Sequence, residues 1–325
     1  MEIIGVDTNK DRVLYVMCGL QCSGKSTYSK NLQKQLGELD CKIVSSDQIR
    51  LEHPELTDNN KVFNKMYADI NYWLRQGCDV ILDATNTTIK SRKHLFQNVH
   101  ENCKKICIIV NTKYEDCLQR LKERNQSDYL IKVPIEVLDK YHKSFEIPFY
   151  EEGWDEIHIV NHFNLSQSSR AINEIMGRTL DFNQHNKHHT QNLFDHLMTV
   201  SHYLRARSKN RKLINAGYYH DIGKLFTQTY KDGDDNAHYY NHENVGTYYL
   251  LTYVGYFDNV SQSIADTLNN ERDTLEFLFY VNYHMYLNNA LSEKSIEKRK
   301  KLFGEEKYNN LVLFHEADKY RPEVN

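Results

Sequence analysis

Nine residues near the start of the chain, Gly19-Leu20-Gln21-Cys22-Ser23-Gly24-Lys25-Ser26-Thr27, have the types and spacing of a phosphate-binding loop, G-x-x-x-x-G-K-S. Glycines at these positions let successive backbone N–H groups turn inward around a phosphate, and a helix N-terminus behind them adds partial positive charge. Gly19, Ser23, Gly24, Lys25, Ser26 and Thr27 are therefore expected to hold a nucleoside triphosphate. Lys25 would reach its terminal phosphates, and Ser26 would hold Mg²⁺ through the hydroxyl. The motif carries this meaning only between a strand and a helix. The apolar run Val13–Cys18 before it and the helix-competent Tyr28–Leu36 after it supply that context.

Further polar residues follow two later apolar runs. Asp47 and Arg50 come after Lys42-Ile43-Val44-Ser45, and Asp83, Thr85 and Asn86 after Val80-Ile81-Leu82. In an α/β sheet, ligands bind beyond the carboxyl ends of the strands. Asp47 is placed to accept the proton of an attacking hydroxyl, as phosphoryl transfer to an alcohol requires, and Arg50 has the fork geometry for an acceptor phosphate. Asp83 could orient Mg²⁺ through water or bind the acceptor. Bland alternatives stand beside these: Asp47 as a helix N-cap, Asp83–Asn86 as turn chemistry. Arg120, Lys122 and Arg124 form a basic cluster ahead of a polar loop, either a solvated helix face or a lid closing on the ATP phosphates.

The second half has a different chemistry. Ten of the 16 histidines lie between His185 and His315, whereas all seven cysteines lie at or before Cys117. His220-Asp221 ends an apolar helical run, with His196 upstream and His242, His284 and Asp318 downstream. These gaps are too long for one helix, so the residues must converge from several helices of a bundle. Imidazoles with carboxylates suit a divalent transition metal that keeps a position open for water. His188 and His189 are candidates for the substrate entrance, and His202 is as easily structural.

The elements that must position these groups follow from hydrophobic period. Five short apolar runs, the last Glu156–Val160, alternate with helical patterns, implying a parallel sheet with helices on both faces. Helices are expected over Lys61–Arg75, Ser91–Asn102, Tyr114–Arg124 and from Pro134 to about Phe145. Apolar content falls between Asn161 and Gln184, and helical spacing dominates from His185. The division reads as a P-loop domain over 1–165, a linker over 166–184 and an all-α domain over 185–325. At 325 residues the chain suffices for two cores. A net charge of −3 gives no bulk electrostatic footprint for nucleic acid but leaves room for a local basic groove. No apolar run approaches the roughly 20 residues needed to span a bilayer, the first residues lack a signal-peptide pattern, and an odd number of cysteines without C-x-x-C argues for reduced thiols. Cytoplasmic localisation without membrane association is the expectation.

The order G-L-Q-C-S-G-K-S-T, S-S-D-Q-I-R, I-L-D-A-T-N, R-L-K-E-R-N and F-Y-E-E-G-W-D-E-I-H-I-V resembles the phage-type polynucleotide 5′-kinase family over about residues 10–161. The resemblance implies an α/β P-loop kinase using ATP and Mg²⁺. Asp47 would be the general base on the 5′-hydroxyl, Arg50 a contact to an acceptor phosphate, and Arg120 and Arg124 the lid arginines. Small-molecule kinases share this core. From about His185 to Arg321 the chain resembles the HD superfamily of metal-dependent phosphohydrolases. That likeness implies His196, His220, Asp221 and Asp318 as primary ligands of Mn²⁺, Ni²⁺ or Co²⁺. His242 and His284 would serve a second metal or the substrate phosphate, and Lys224 would meet the phosphate.

A 5′-kinase joined to a phosphoesterase is the signature of nucleic-acid end repair. The expected partners are nucleic-acid ends, RNA favoured, a nucleoside triphosphate and a ligase acting downstream. The order kinase then HD departs from related end-healing enzymes, which either carry a different phosphatase or place the HD module first. Two alternatives are a nucleoside or other small-molecule kinase fused to an HD nucleotidase, and an ATP-gated binding module with a degenerate HD site.

Overall fold

A computed structural model describes residues 12–161, 168–185, 191–233, 235–254, 270–287 and 292–322. The chain divides into two compact units: Met1–Asp139 with Glu152–His162, and Lys140–Glu151 with Phe163–Asn325.

The first unit is built on five parallel strands, β1 (Val13–Cys18), β2 (Cys41–Ser45), β3 (Asp79–Asp83), β4 (Lys104–Asn111) and β5 (Glu156–Asn161), in the order β2-β3-β1-β4-β5. Parallel strands covered on both faces need continuous apolar runs. Leu14, Val16, Val80, Ile81, Leu82, Cys107 and Ile109 meet that need with no exposed surface. Because β1 lies between β3 and β4, the chain leaves it in opposite directions, and a crevice opens above its carboxyl end. The helices are α1 (Lys25–Leu36), α2 (Ser46–Glu52), α3 (Asn59–Arg75), α4 (Ile89–Asn98), α5 (Tyr114–Gln126) and α6 (Ile135–Lys143). In α3, Val62, Met66, Ile70 and Leu74 recur every fourth residue and are all buried. Helix α4 begins in a Thr88–Ser91 capping box and stops at Asn98, four residues short of the expected Asn102. Asn71 of α3 ends it: its amide donates to Asn98 O at 2.8 Å and accepts from His100 N–H at 2.9 Å, satisfying the frayed terminus from outside.

Among the described residues of the second unit, the regular elements are all helices, with one isolated bridge between Thr229 and His238. They form α7 (Ser168–Thr179), α8 (Leu193–Arg207), α9 (Arg211–Tyr219), α10 (Lys224–Thr227), α11 (His242–Val254), α12 (Glu271–Tyr283), α13 (Glu293–Phe303) and α14 (Glu305–Lys319). The stripe Leu193, Leu197, Val200 and Leu204 is fully buried, as a 3.6-residue period requires. Helix α8 packs on α9 and α14, and α12 on α9 and α11.

Two features depart from the expected division. The stretch 166–184 is not a plain linker: it contains α7, whose Ile172, Ile175 and Thr179 are buried despite its polar composition. Residues 140–151 belong to the helical unit although β5 follows them in sequence. Phe145, Ile147 and Phe149 are buried there, Phe149 against Phe279, Tyr283 and Phe303. No described helix is long and apolar enough to cross a membrane.

Fully buried Arg92 of α4 makes a bidentate pair with Glu152, at 2.6 and 2.7 Å, and donates a third bond to Asn86 O at 3.2 Å. Removing one partner of a buried pair costs about 3–5 kcal/mol. Glu152→Ala is therefore expected to lower urea-unfolding stability by about that amount. A loss below about 1 kcal/mol, as at exposed pairs, would contradict this assignment.

Candidate active sites

In the first unit, the strand–loop–helix context is present. The loop runs from the end of β1 into α1, with Cys22 at φ 60° and Gly24 at φ 101° turning the backbone. Gly19 is required by close approach: a Cβ there would lie 2.7 Å from Val110 O and 2.9 Å from Ser23 Oγ. Ser23 is fully buried, Thr112 Oγ1 holds its carbonyl at 2.7 Å, and Gly19 N–H donates to Thr85 O at 3.0 Å. The loop is thus tied to the turns after β3 and β4. Lys25 is buried, and its Nζ donates to Leu20 O at 2.6 Å. Burial lowers its pKa, with the charge of Asp83 opposing. Ser26 and Thr27 are exposed at the start of α1.

Asp83 ends β3 directly opposite Ser45 of β2, so it stands beside the turn carrying Asp47. The N-cap of α2 is Ser45, whose side chain accepts from Gln48 N–H, so Asp47 is not used as the cap. Asp47 instead lies between two arginines, 3.6 Å from Arg50 Nη1 and 3.4 Å from Arg124 Nη2. Arg120 donates to Cys22 O of the phosphate loop at 3.3 Å, while Lys122 is exposed. The basic cluster therefore splits: Arg120 turns to the phosphate loop, Arg124 to Asp47 and Ile131 O, and Lys122 to solvent. Asn125 pins the polar loop by exchanging two bonds with Val133, and Tyr129 stacks on Arg124 at 4.2 Å. Asn86 is structural: at φ 46° it donates to Met17 O at 2.9 Å and anchors its turn to β1.

In the second unit, six of the expected residues meet. The donor atoms of His196, His220, Asp221 and Asp318 lie within 4.8 Å of one another, as do those of Asp221, His242 and His284. Asp221 Oδ2 is 3.4 Å from Nε2 of both His196 and His220, and its Oδ1 is 2.9 Å from His242 Nε2 and 3.6 Å from His284 Nε2. Asp318 Oδ1 closes the first set at 3.1 Å from His196 and 3.5 Å from His220. His188 and His189 lie outside the described residues, and His202 is exposed, away from the cluster.

Local helix geometry orients three of these rings. His220 and His284 cap the carboxyl ends of α9 and α12, and His242 begins α11. Each places Nδ1 on the carbonyl three residues earlier: Gly217 at 2.9 Å, Val281 at 2.7 Å and Tyr239 at 2.7 Å. A carbonyl only accepts, so Nδ1 carries a proton and Nε2 is the nitrogen turned to the carboxylates, a proton donor to them when the ring is charged and a lone pair once that proton is displaced. Lone pairs opposed to carboxylate oxygens in a buried site call for a cation between them, and carbonyl-fixed imidazoles are the usual supporting arrangement of a metal ligand. The donor set therefore fits a divalent transition metal.

Charge coupling is correspondingly strong. Burial lowers the pKa of His220, but Asp221 and Asp318 outweigh it and raise the value to about 9. Burial raises that of Asp221, and the cations Lys224, His220 and His242 outweigh it, holding the carboxyl well below its ordinary value. Burial dominates at His284 and lowers its pKa. Lys224 Nζ lies 2.6 Å from Asp221 Oδ2 and 2.8 Å from Gln184 Oε1. Buried Gln184, which also accepts from the Tyr239 hydroxyl, escapes sequence reasoning because an isolated glutamine has no spacing signature.

Residues 14–148 match the model of a family described as an AAA domain. The L-seryl-tRNA(Sec) kinase of Methanococcus maripaludis is 27% identical over 181 residues, which cover 53% of this chain and 66% of that protein. A chain in the solved Pnkp1/Rnl/Hen1 RNA repair complex is 20% identical with a TM-score of 0.37, covering 42% of this chain and 44% of that one. A fungal RNA kinase structure gives 14% identity and a TM-score of 0.31, covering 52% of this chain and 85% of that one. The first unit is a P-loop domain of the kinase type. That fold implies use of ATP and Mg²⁺.

Gly223 follows the His220-Asp221 pair against the start of α11; a Cβ there would fall 1.9 Å from His242 O and 2.7 Å from Gly246 N. Gly223→Ala is expected to push the segments carrying Asp221 and His242 apart, costing roughly 1–3 kcal/mol or more and, if the cluster holds a metal, lowering the metal content of the purified protein. Unchanged unfolding and metal content would show that this close approach is not needed.

Proposed function

We propose that this chain is a bifunctional nucleic-acid end-healing enzyme. The P-loop unit phosphorylates a 5′-hydroxyl end with ATP, and the helical unit is an HD-type phosphohydrolase that removes a 3′-phosphate or 2′,3′-cyclic phosphate. The observation that carries this reading is the gathering of four imidazoles and the Asp318 carboxylate around one shared Asp221, in a chain that also carries a phosphate loop and an aspartate bracketed by arginines. The sequence relative named for L-seryl-tRNA(Sec) supports a kinase whose acceptor is carried on RNA. A ligase would act downstream on the healed ends.

At the kinase site, Asp47 accepts the proton of the 5′-hydroxyl as its oxygen attacks the γ-phosphorus and the bond to the ADP leaving oxygen breaks. Arg50 orients an acceptor phosphate. Gly19, Ser23, Gly24, Lys25 and Thr27 bind the ATP phosphates, and Ser26 and Asp83 are the residues that would hold and orient Mg²⁺, which would neutralise phosphate charge. Lys25, Arg120 and Arg124 neutralise charge developing on the transferred group.

At the second site, His196, His220, Asp221 and Asp318 would hold one Mn²⁺, Ni²⁺ or Co²⁺ ion, and His242 and His284 a second through the shared Asp221. Such ions supply a Lewis acid and a water of lowered pKa. Lys224 leaves Asp221 for a substrate phosphate oxygen, and Gln184 stays as its other partner. Burial of the cluster excludes bulk water.

The test is transfer of labelled phosphate from γ-labelled ATP to a 5′-hydroxyl oligoribonucleotide, beside hydrolysis of a 2′,3′-cyclic phosphate end with Mn²⁺ present. Asp47→Asn should reduce the first activity by about 10²–10⁴-fold, Lys25→Ala should abolish it, and both should spare the second. His220→Ala or Asp221→Ala should do the reverse. Phosphorylation of free nucleosides but of no oligonucleotide would establish a small-molecule kinase instead.

Chelation should separate the sites as well. After EDTA treatment, Mg²⁺ alone should restore the kinase activity, and Mn²⁺, Ni²⁺ or Co²⁺ should be needed to restore the hydrolase. Restoration of both by Mg²⁺ alone would contradict the imidazole-rich centre.

A further inference from the structure

We propose that Asn244 and Asn282 are positioning residues that set the spacing of His242 and His284, and so decide whether Asp221 can share a second metal ion with them. This rests on reading the histidine–aspartate cluster as a metal centre. The two imidazoles reach Asp221 from different helices, and their Nε2 atoms lie 3.4 Å apart. Two residues beyond His242 is Asn244, and two residues before His284 is Asn282. Asn282 Nδ2 donates to Asn244 Oδ1 at 2.9 Å, so one amide bridge ties α11 to α12 beside the imidazole pair.

That bridge is itself clamped by the segment joining α6 to β5. Asn282 Oδ1 accepts from Ile147 N–H at 2.7 Å, Asn282 Nδ2 also reaches Phe145 O at 3.4 Å, and Asn244 Nδ2 donates to Lys143 O at 3.0 Å. Tyr283, between Asn282 and His284, donates its hydroxyl to Ile147 O at 3.1 Å. Phe145 and Ile147 are fully buried, which seats this strap in the helical core. Both amides are thus used at both ends, an over-determined arrangement that holds two backbones at one separation. His196, His220 and Asp318 stand instead on α8, at the end of α9 and on α14, whereas the bridge joins the two helices that carry His242 and His284. The second metal position, not the first, therefore depends on it.

The experiment measures Mn²⁺ bound to the full chain by titration calorimetry and by metal analysis after dialysis, with far-ultraviolet circular dichroism as the folding control. Wild type is expected to bind two ions. Asn282→Ala should weaken the second by about 10–100-fold, the range typical of a lost supporting contact, and leave the first unchanged. Asn244→Ala, at a half-buried position, should act in the same direction and decides the matter if Asn282→Ala does not fold. His284→Ala serves as the reference for loss of the second ion. Retention of both affinities in the variants, or equal weakening of both ions, would overturn the proposal. A wild type that binds one ion overturns it too, while leaving the metal-centre reading intact. A wild type that binds none overturns that reading as well.

Discussion

A carboxylate taken out of water must find opposite charge or strong donors nearby, or it protonates. Asp221 is 2% exposed, and its two oxygens are met by four imidazoles and the Lys224 ammonium. Much of the helical unit can be understood as the construction needed to deliver those groups. Two histidines stand at helix carboxyl ends and one at a helix start, positions where the ring can fold back onto a carbonyl and still project inward. Close packing of Gly223 on Gly246 brings the His220-Asp221 turn against the helix carrying His242. The supporting polar groups, Gln184 and the Asn244–Asn282 bridge, are satisfied in turn.

The P-loop unit handles charge differently. Its candidate groups stand at the carboxyl ends of parallel strands, where backbone N–H groups and arginines face a crevice. Asp47 is 42% exposed and held loosely by two arginines, each of which has another partner. Exposed contacts of this kind are individually weak and exchange readily. The rigid parts lie behind: the Arg92–Glu152 pair and the Asn86 turn anchor the loop after β3 to β1. One site is preorganised by burial, the other by backbone geometry with partly exposed side chains in front.

Several of these features were legible in one dimension. The phosphate loop is contiguous, its flanking strand and helix follow from hydrophobic period, and all five strands stand where apolar runs occur. The histidine–aspartate residues were legible as candidates because their types are unusual in apolar helical surroundings. Less legible was everything that depends on one residue meeting another far away. Arg92 and Glu152 are 60 positions apart, and neither has a neighbour that marks it. Asn71 ends α4 from another helix. The polar composition of 166–184 concealed α7, because two buried isoleucines suffice to hold a short helix.

The sequence by itself determined the parallel α/β unit, the phosphate loop and the set of groups able to meet at a metal, since these rest on local spacing and side-chain chemistry. Only the tertiary structure decided that Asp221 is shared by two sets of histidines, that Ser45 rather than Asp47 caps α2, and that residues 140–151 pack in the helical core. Burial and hydrogen-bond satisfaction govern those outcomes. Both are set by which surfaces pack together, and no spacing along the chain encodes that choice.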